Sequence, residues 1–393
     1  MFTSRSTDVV LTSYFASILS EFSTYLRRVD PKLNRWETVV SGEPDYHVLM
    51  DAALAVVVGS RGRRALRLLR NSTGLHSRLS GAVAGDREFD VLVPVTLFDR
   101  WDLSAIDRRP PSFDVLAVVT TYNEADIIEQ LLTRLTRDGI RVHVIDNWST
   151  DATPDLVEQF VADGTVTWER FPSGGTTGYF ELERLLQRVE EVAADSGADW
   201  VIHHDADEIR ESPWPGVPLI DALWAVEQWG YNCIDHTVFN FRPIDNSWSP
   251  GADLERSFTW CEFGDTPADF LQIKAWKPQP ERLAMARNAG HEVKFTGRRV
   301  FPYKFLLRHY PIRSQEHGEQ KILRDRQPRW SPDERAKGWH VHYDHYNEHT
   351  SFLWNAQDLL RWSDIDQRYL LQRLSGVGMA NNPWLGEGVV IDA

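Results

Sequence analysis

From about residue 113 the sequence alternates short apolar runs with longer helical stretches, and this alternation limits the possible folds more than any other feature. The apolar runs, rich in β-branched residues, are 115–119, 142–145, 166–168 and 200–203. The helical stretches between them are 125–137, 152–162 and 180–196. Continuous apolar strands that alternate with helices are typical of a parallel sheet covered on both faces. The sequence therefore predicts an α/β fold with right-handed crossovers.

The chain of 393 residues is long enough for this core and two further blocks. Residues 1–110 are expected to form a partly helical N-terminal accessory block, which ends at two consecutive prolines, Pro110 and Pro111. Residues 111–320 would form the α/β core, and its later part is less regular. Residues 321–393 are expected to form a mainly helical extension.

Composition excludes several classes of protein. The net charge of −14 argues against general nucleic-acid binding, because cations must neutralise the phosphates. The presence of only two cysteines, Cys233 and Cys261, excludes a disulfide scaffold and favours a cytoplasmic protein. The longest apolar stretch, 48–59, contains Asp51 and is shorter than the ~20 residues of a membrane span. The basic run 61–70 would suit peripheral contact with an anionic membrane, or simply a solvated helix face.

A polar loop follows each of three predicted strands, and ligands of open α/β sheets bind at such strand ends. The loop after the fourth strand carries Asp205 and Asp207, with Glu208 beside them. Carboxylates crowded in this way repel one another unless a cation is present, and oxygen ligands suit Mg²⁺ or Mn²⁺. This pattern predicts a divalent-metal site. The alternative is that the two aspartates only end the strand and cap a helix.

The other two loops, 120–124 and 146–151, could hold a nucleotide. Tyr122 could stack on a base, and Asp146 could accept hydrogen bonds from a base or ribose; both loops could equally be helix starts. Neither loop contains the glycine pattern of a nicotinamide or flavin site, and no phosphate-binding P-loop is present.

Together the segments 119–124, 144–151 and 204–208 resemble the three core motifs of glycosyltransferase family 2. The resemblance covers about residues 113–320 and implies a GT-A fold, a Rossmann-like, mostly parallel central sheet with helices on both faces. It also implies that the protein binds a nucleotide-sugar. The donor-binding residues that it implies in this region are Thr120, Tyr122, Glu124, Asp146 and Asp205. Asp205 and Asp207 would hold the metal ion, with Asp207 as the direct ligand.

Further along, segments 272–278, 290–292 and 307–314 resemble a Lys…Gly-His…His-Tyr-x-x-x-Ser pattern of family 2-like and family 92-like glycosyltransferases. A histidine often completes the GT-A metal site, and the candidates are His309 and His291; each is equally well explained as a structural, hydrogen-bonded histidine. Basic residues that would neutralise the diphosphate of the donor are Lys274, Arg308 and Arg313. Solvation at the surface is the alternative for each of these three.

Inversion at the sugar requires a general base that takes the proton from the acceptor hydroxyl. The candidates are Glu262 and Asp245, from a pool that also contains Asp265 and Asp269.

The predicted function is metal-dependent transfer of a sugar from a nucleotide-diphosphate-sugar to a glycan, lipid-linked or other hydroxyl acceptor, in surface polysaccharide or glycan assembly. A sugar-nucleotide nucleotidyltransferase is disfavoured because the first loop lacks glycine. A non-catalytic glycan- or nucleotide-binding protein is disfavoured by the intact pair of aspartates.

Overall fold

The computed structural model describes residues 103–364, except positions 215, 264–271, 282, 284, 302 and 303. Most of the predicted N-terminal block and the last part of the predicted C-terminal extension lie outside the described residues. None of the helices in the described part of the chain is long and apolar enough to cross a membrane.

A six-stranded sheet forms the centre of the molecule. Its strands are β1 (Val115–Thr121), β2 (Arg141–Asp146), β3 (Val166–Arg170), β4 (Trp200–Asp205), β6 (Cys233–Ile234) and β9 (Ala275–Trp276), in the order β3-β2-β1-β4-β9-β6. The first four strands are parallel, and each contains one of the predicted apolar runs. β9 and β6 extend the sheet by antiparallel pairing.

Helices cover both faces of this sheet, as expected for the GT-A class. They are α1 (Ile128–Arg137), α2 (Thr153–Glu158), α3 (Leu182–Asp195) and α4 (Leu219–Gln228), with 3₁₀ turns at Leu103–Ala105, Val161–Asp163 and Met285–Asn288. Alternate residues of β1 face different apolar clusters: Val115 and Ala117 pack with α1, α2 and α4, whereas Leu116 and Val118 pack with α3. The prediction of an α/β sheet buried on both faces is therefore confirmed.

A second, five-stranded sheet was not predicted. Its strands are β5 (Glu208–Glu211), β7 (His236–Phe241), β8 (Trp260–Phe263), β10 (Phe305–His309) and β11 (Leu360–Arg361), in the order β11-β8-β7-β10-β5. The helix α5 (Leu254–Ser257) precedes β8. The apolar run 233–241 is divided between the two sheets, and the buried Asp235 lies at the division. β9 is short and contains only Ala275 and Trp276.

The segment after β10 is built from short helical pieces. They are α6 (Gln315–Gly318), a π-helix (Glu319–Arg326), a 3₁₀ turn (Gln327–Arg329), α7 (Pro332–Ala336), and 3₁₀ turns at Val341–Tyr343, Ala356–Asp358 and Trp362–Asp364. α6 continues directly into the π-helix, so the expected core and extension share one helical segment at residue 320. This segment returns to the carboxyl ends of β1 and β4.

Candidate active site

The polar ends of β1, β2 and β4 meet at one edge of the central sheet. Thr120 is in register with Asp205 on the neighbouring strand, and its hydroxyl donates a hydrogen bond to Asp205 Oδ1 at 3.0 Å. The backbone N–H of Asn123, in the loop after β1, donates to Ser149 Oγ in the loop after β2 at 2.9 Å. The three polar loops therefore lie together, as parallel pairing requires.

Asp205 is paired with a buried lysine. The Lys274 ammonium donates to Asp205 Oδ2 at 2.7 Å and lies 3.6 Å from Glu208 Oε1. The side chain of Lys274 is 4% exposed, whereas that of Asp205 is 39% exposed. Burial alone would raise the pKa of Asp205, but the Lys274 ammonium outweighs it and holds that pKa below its ordinary value. Asp205 is therefore ionised at neutral pH.

Asp207 lies deeper and has a different lysine partner. Its Oδ2 accepts a hydrogen bond from Lys321 Nζ at 2.8 Å and lies 3.6 Å from His309 Nε2. The N–H of Tyr310 donates to the backbone oxygen of Asp207 at 2.8 Å. Burial opposes ionisation of Asp207, but Lys321 and His309 outweigh it, so the pKa of this carboxyl lies well below its ordinary value.

The second sheet positions His309 against Asp207. β10 is antiparallel to β5, and its register pairs His309 with Glu208. His309 Nδ1 lies 2.7 Å from Asn240 Oδ1, which can only accept a hydrogen bond. Nδ1 therefore carries a proton, and Nε2 is the nitrogen that lies on the side of Asp207. Of the two candidate histidines, the structure brings His309 to Asp207, while His291 Nδ1 lies 2.9 Å from Gln272 Nε2.

A cluster of ligand-type side chains lies beside this pair. Atoms of Glu124, Asp126 and His317 lie within 4.8 Å of one another. The guanidinium of Arg313, which is fully buried, bonds Glu124 and Asp126 and lies 2.6 Å from His317 Nε2. Arg313 is therefore the cation of this cluster, and its guanidinium is held by the chain's own carboxylates.

Two predicted donor-binding residues are fixed by neighbouring loops. The guanidinium carbon of Arg329 lies 3.6 Å from the centre of the Tyr122 ring, and Arg329 Nη2 donates to Asn147 Oδ1 at 2.8 Å. Asp146 is fully buried and accepts a hydrogen bond from the N–H of Ser149 at 3.1 Å. Burial raises the pKa of Asp146. Asp146 therefore organises its own loop.

Other predicted site residues have partners elsewhere. Arg308 precedes His309 in β10, so the two side chains leave opposite faces; Arg308 pairs with Glu211 at 2.8 Å and lies over the Trp362 ring. Glu262 pairs with Arg242 Nε at 3.0 Å. Asp245 is exposed, and the hydrogen bonds that it accepts from Ser247 lower its pKa. Asp265 and Asp269 lie outside the described residues.

Sequence reasoning did not identify Lys321 and Arg329, although both contact residues of the predicted site. The only signal was the density of basic residues in 321–329. No local pattern links a basic helical segment to a carboxylate more distant in the chain, so only the tertiary structure reveals these pairs. The structure also excludes the alternative that Asp205 and Asp207 cap a helix, because the strand β5 follows them directly.

Residues 116–178 match the family model described as Glycosyl transferase family 2. The matched segment begins in β1, ends after β3 and contains the first two polar loops. The chain is therefore family 2-like over this part of the GT-A sheet. No curated protein sequence matches the chain significantly.

Several solved structures of S. aureus TarS are similar to part of the chain. TarS 1–349 in complex with UDP-GlcNAc is 18% identical, with a TM-score of 0.24, and the match covers 35% of this chain and 36% of that one. TarS 1–349 alone is 16% identical, with a TM-score of 0.27 and coverage of 42% and 47%. Its complex with UDP is 16% identical, with a TM-score of 0.24 and coverage of 42% and 46%. The match thus spans less than half of each solved chain.

Proposed function

We propose that this protein is a metal-dependent glycosyltransferase that moves a sugar from a nucleotide-diphosphate-sugar to an acceptor hydroxyl with inversion. The observation that carries the proposal is the position of Asp205 and Asp207 at the end of β4. There they meet Thr120 of β1 and His309 of β10. The family 2 match over the neighbouring loops supports the same reaction class.

We assign the divalent cation to Asp207 and His309, with Asp205 beside them at the end of β4. The group of three ligand-type side chains that lie within 4.8 Å of one another in the described part of the chain, Glu124, Asp126 and His317, is already neutralised by Arg313. Asp205 and Asp207 are both ionised, and His309 Nε2 lies 3.6 Å from Asp207 Oδ2, where a neutral imidazole would be a further ligand. Carboxylate oxygens suit Mg²⁺ and Mn²⁺, and imidazole is a further ligand that Mn²⁺ accepts. When bound, the ion would stabilise the negative charge of the departing nucleoside diphosphate.

The chain's own residues would position the two substrates. Tyr122 and Asp146 lie in the loops that we assign to the base and ribose of the donor, while Lys274 keeps Asp205 ionised. Glu262 and Asp245 remain our candidates for the base that accepts the proton of the acceptor hydroxyl. The proposed acceptor is a glycan or lipid-linked hydroxyl of cytoplasmic polysaccharide assembly. We also propose that the chain is divided into an N-terminal block (1–110), the glycosyltransferase core (111–320) and a C-terminal extension (321–393).

The direct test is a thermal-shift panel with UDP-, GDP-, CMP- and dTDP-sugars, each with and without Mn²⁺. A ligand at one hundred times its Kd stabilises the folded state by about 2.7 kcal/mol, which is a shift of several degrees. We expect the sugars of one nucleotide to raise the melting temperature in this way, and to raise it further when Mn²⁺ is present. Asp207→Asn should lose the part that depends on Mn²⁺, whereas Asp155→Asn, an exposed residue of α2, should keep it.

Two results would contradict the proposal. If no nucleotide-sugar shifts the melting temperature, the donor site is wrong. If Asp207→Asn keeps the full Mn²⁺-dependent shift, then Asp207 does not hold the ion. Sugar transfer from the nucleotide-sugar that binds, measured with the same two variants, then tests the catalytic step itself.

A further inference from the structure

Lys321 is a buried ammonium placed between two carboxylates of the candidate site. Its Nζ donates to Asp207 Oδ2 at 2.8 Å and also bonds Glu124 Oε1. The residue is 5% exposed. Burial of an ammonium is unfavourable unless it is paired, so these two carboxylates are what stabilise Lys321 in this position.

The π-helix explains how a residue from the C-terminal segment reaches this position. Lys321 and Arg326 both belong to this π-helix, Glu319–Arg326. The positive charge of Arg326 acts on Asp207 and Glu124. π-Helical turns are rare and often occur at functional sites, which supports a role for this segment in the candidate site.

The position of Lys321 conflicts with simple metal binding at Asp207. An ammonium hydrogen-bonded to Asp207 Oδ2 and a divalent ion on the same carboxylate would repel each other at short range. The ion must therefore displace the ammonium, or bind more weakly because of it. Glu124 can hold Lys321 after release from Asp207, which makes the displacement a short movement of one side chain.

We propose that Lys321 is the internal counter-ion that a divalent cation displaces from Asp207, and that the released ammonium then faces the diphosphate of the donor. This inference rests on the proposed function. Lys321 acts here as a positioning residue, because it sets how strongly the ion binds before the donor arrives. Its presence makes the ion bind weakly alone and more tightly together with an anionic donor, a coupling that must be reciprocal.

The test is a titration of the 393-residue chain with Mn²⁺ alone, in which electron paramagnetic resonance measures the free Mn²⁺. Lys321→Gln removes the charge but keeps hydrogen-bond donors for both carboxylates. We expect it to bind Mn²⁺ roughly 5- to 150-fold more tightly than the unmodified protein, the usual range for coupled sites. Lys321→Arg, which keeps the charge, and Lys337→Gln, a half-exposed lysine paired with Glu183, should bind as the unmodified protein does.

Circular dichroism and thermal melting establish that each variant is folded; if Lys321→Gln is not, Lys321→Met is the second neutral variant. Equal or weaker Mn²⁺ binding by the folded neutral variant would overturn the inference and leave the proposed function standing. Absence of Mn²⁺ binding in every variant would overturn both this inference and the metal dependence. The metal-free nucleotide panel would still report on the donor site, so the two failures are distinguishable.

Discussion

Replacement of Arg313 by methionine should destabilise the protein strongly. The guanidinium is fully buried, bonds Glu124 and Asp126, and donates to the backbone oxygen of Tyr310 at 2.9 Å. Burial lowers the pKa of Arg313, but the two carboxylates outweigh this and raise it above its ordinary value. The native structure therefore depends on the ionised form of this residue.

The magnitude follows from what the substitution leaves behind. Removal of one partner from a buried ion pair costs about 3–5 kcal/mol, because the remaining charge is uncompensated. Lys321 still bonds Glu124 in the variant, so we expect the lower end of this range, about 3 kcal/mol. For a chain of 393 residues the entropy of unfolding is about 0.8 kcal/mol/K, so the melting temperature should fall by about 4 °C.

The assay is thermal and urea denaturation followed by circular dichroism at pH 7. The matched control is Arg256→Met, because the Arg256 side chain is 89% exposed and its ion pair with Asp253 spans 3.9 Å. The control should lie within about 0.5 kcal/mol of the unmodified protein. Arg313→Lys should be intermediate, since it keeps the charge but loses the planar fork. A loss below about 1 kcal/mol for Arg313→Met would refute the reasoning.

Three further predictions concern other parts of the fold. Burial raises the pKa of both Cys233 and Cys261, so a thiol reagent should label them only after unfolding; labelling of the native protein would contradict this. Gly290→Ala should lower the melting temperature more than Gly197→Ala, because both have positive φ but only the first would place a Cβ 2.7 Å from an α3 side chain. Burial holds the pKa of His236 well below its ordinary value, so stability is lost as the pH falls below about 6.5, by about 1.4 kcal/mol per pH unit. H236Q should show a slope shallower by that amount in urea titrations between pH 7 and 5; an unchanged slope would refute it.

The central sheet could be predicted because its signals are local. The apolar runs of β1 and β4 are buried almost throughout, as strands covered on both faces must be, and shorter apolar runs mark β2 and β3. Parallel pairing then brings the three polar loops to one edge without any knowledge of side-chain contacts. That is why the meeting of the three polar loops could be anticipated from the sequence, whereas the hydrogen bond from Thr120 to Asp205 is known only from the structure.

The second sheet could not be predicted, because its pairings are distant in the chain. Glu208 was expected to crowd a metal site, yet it begins β5 and bonds Arg210. The partners of the basic residues also depend on the tertiary structure. Strand alternation turns Arg308 away from His309, and the helical segment after β10 brings Lys321 to Asp207. Neither outcome leaves a signature in the local sequence.

The antiparallel ladder between β5 and β10 has a consequence for how this protein could diversify. Main-chain hydrogen bonds hold His309 beside Glu208, which follows Asp207 in the sequence. Such hydrogen bonds do not depend on the identity of the side chains. The loops between these two strands can consequently be exchanged or lengthened while the histidine keeps its place. Loop engineering in that region would therefore change the surroundings of Asp207 and His309 without changing their register.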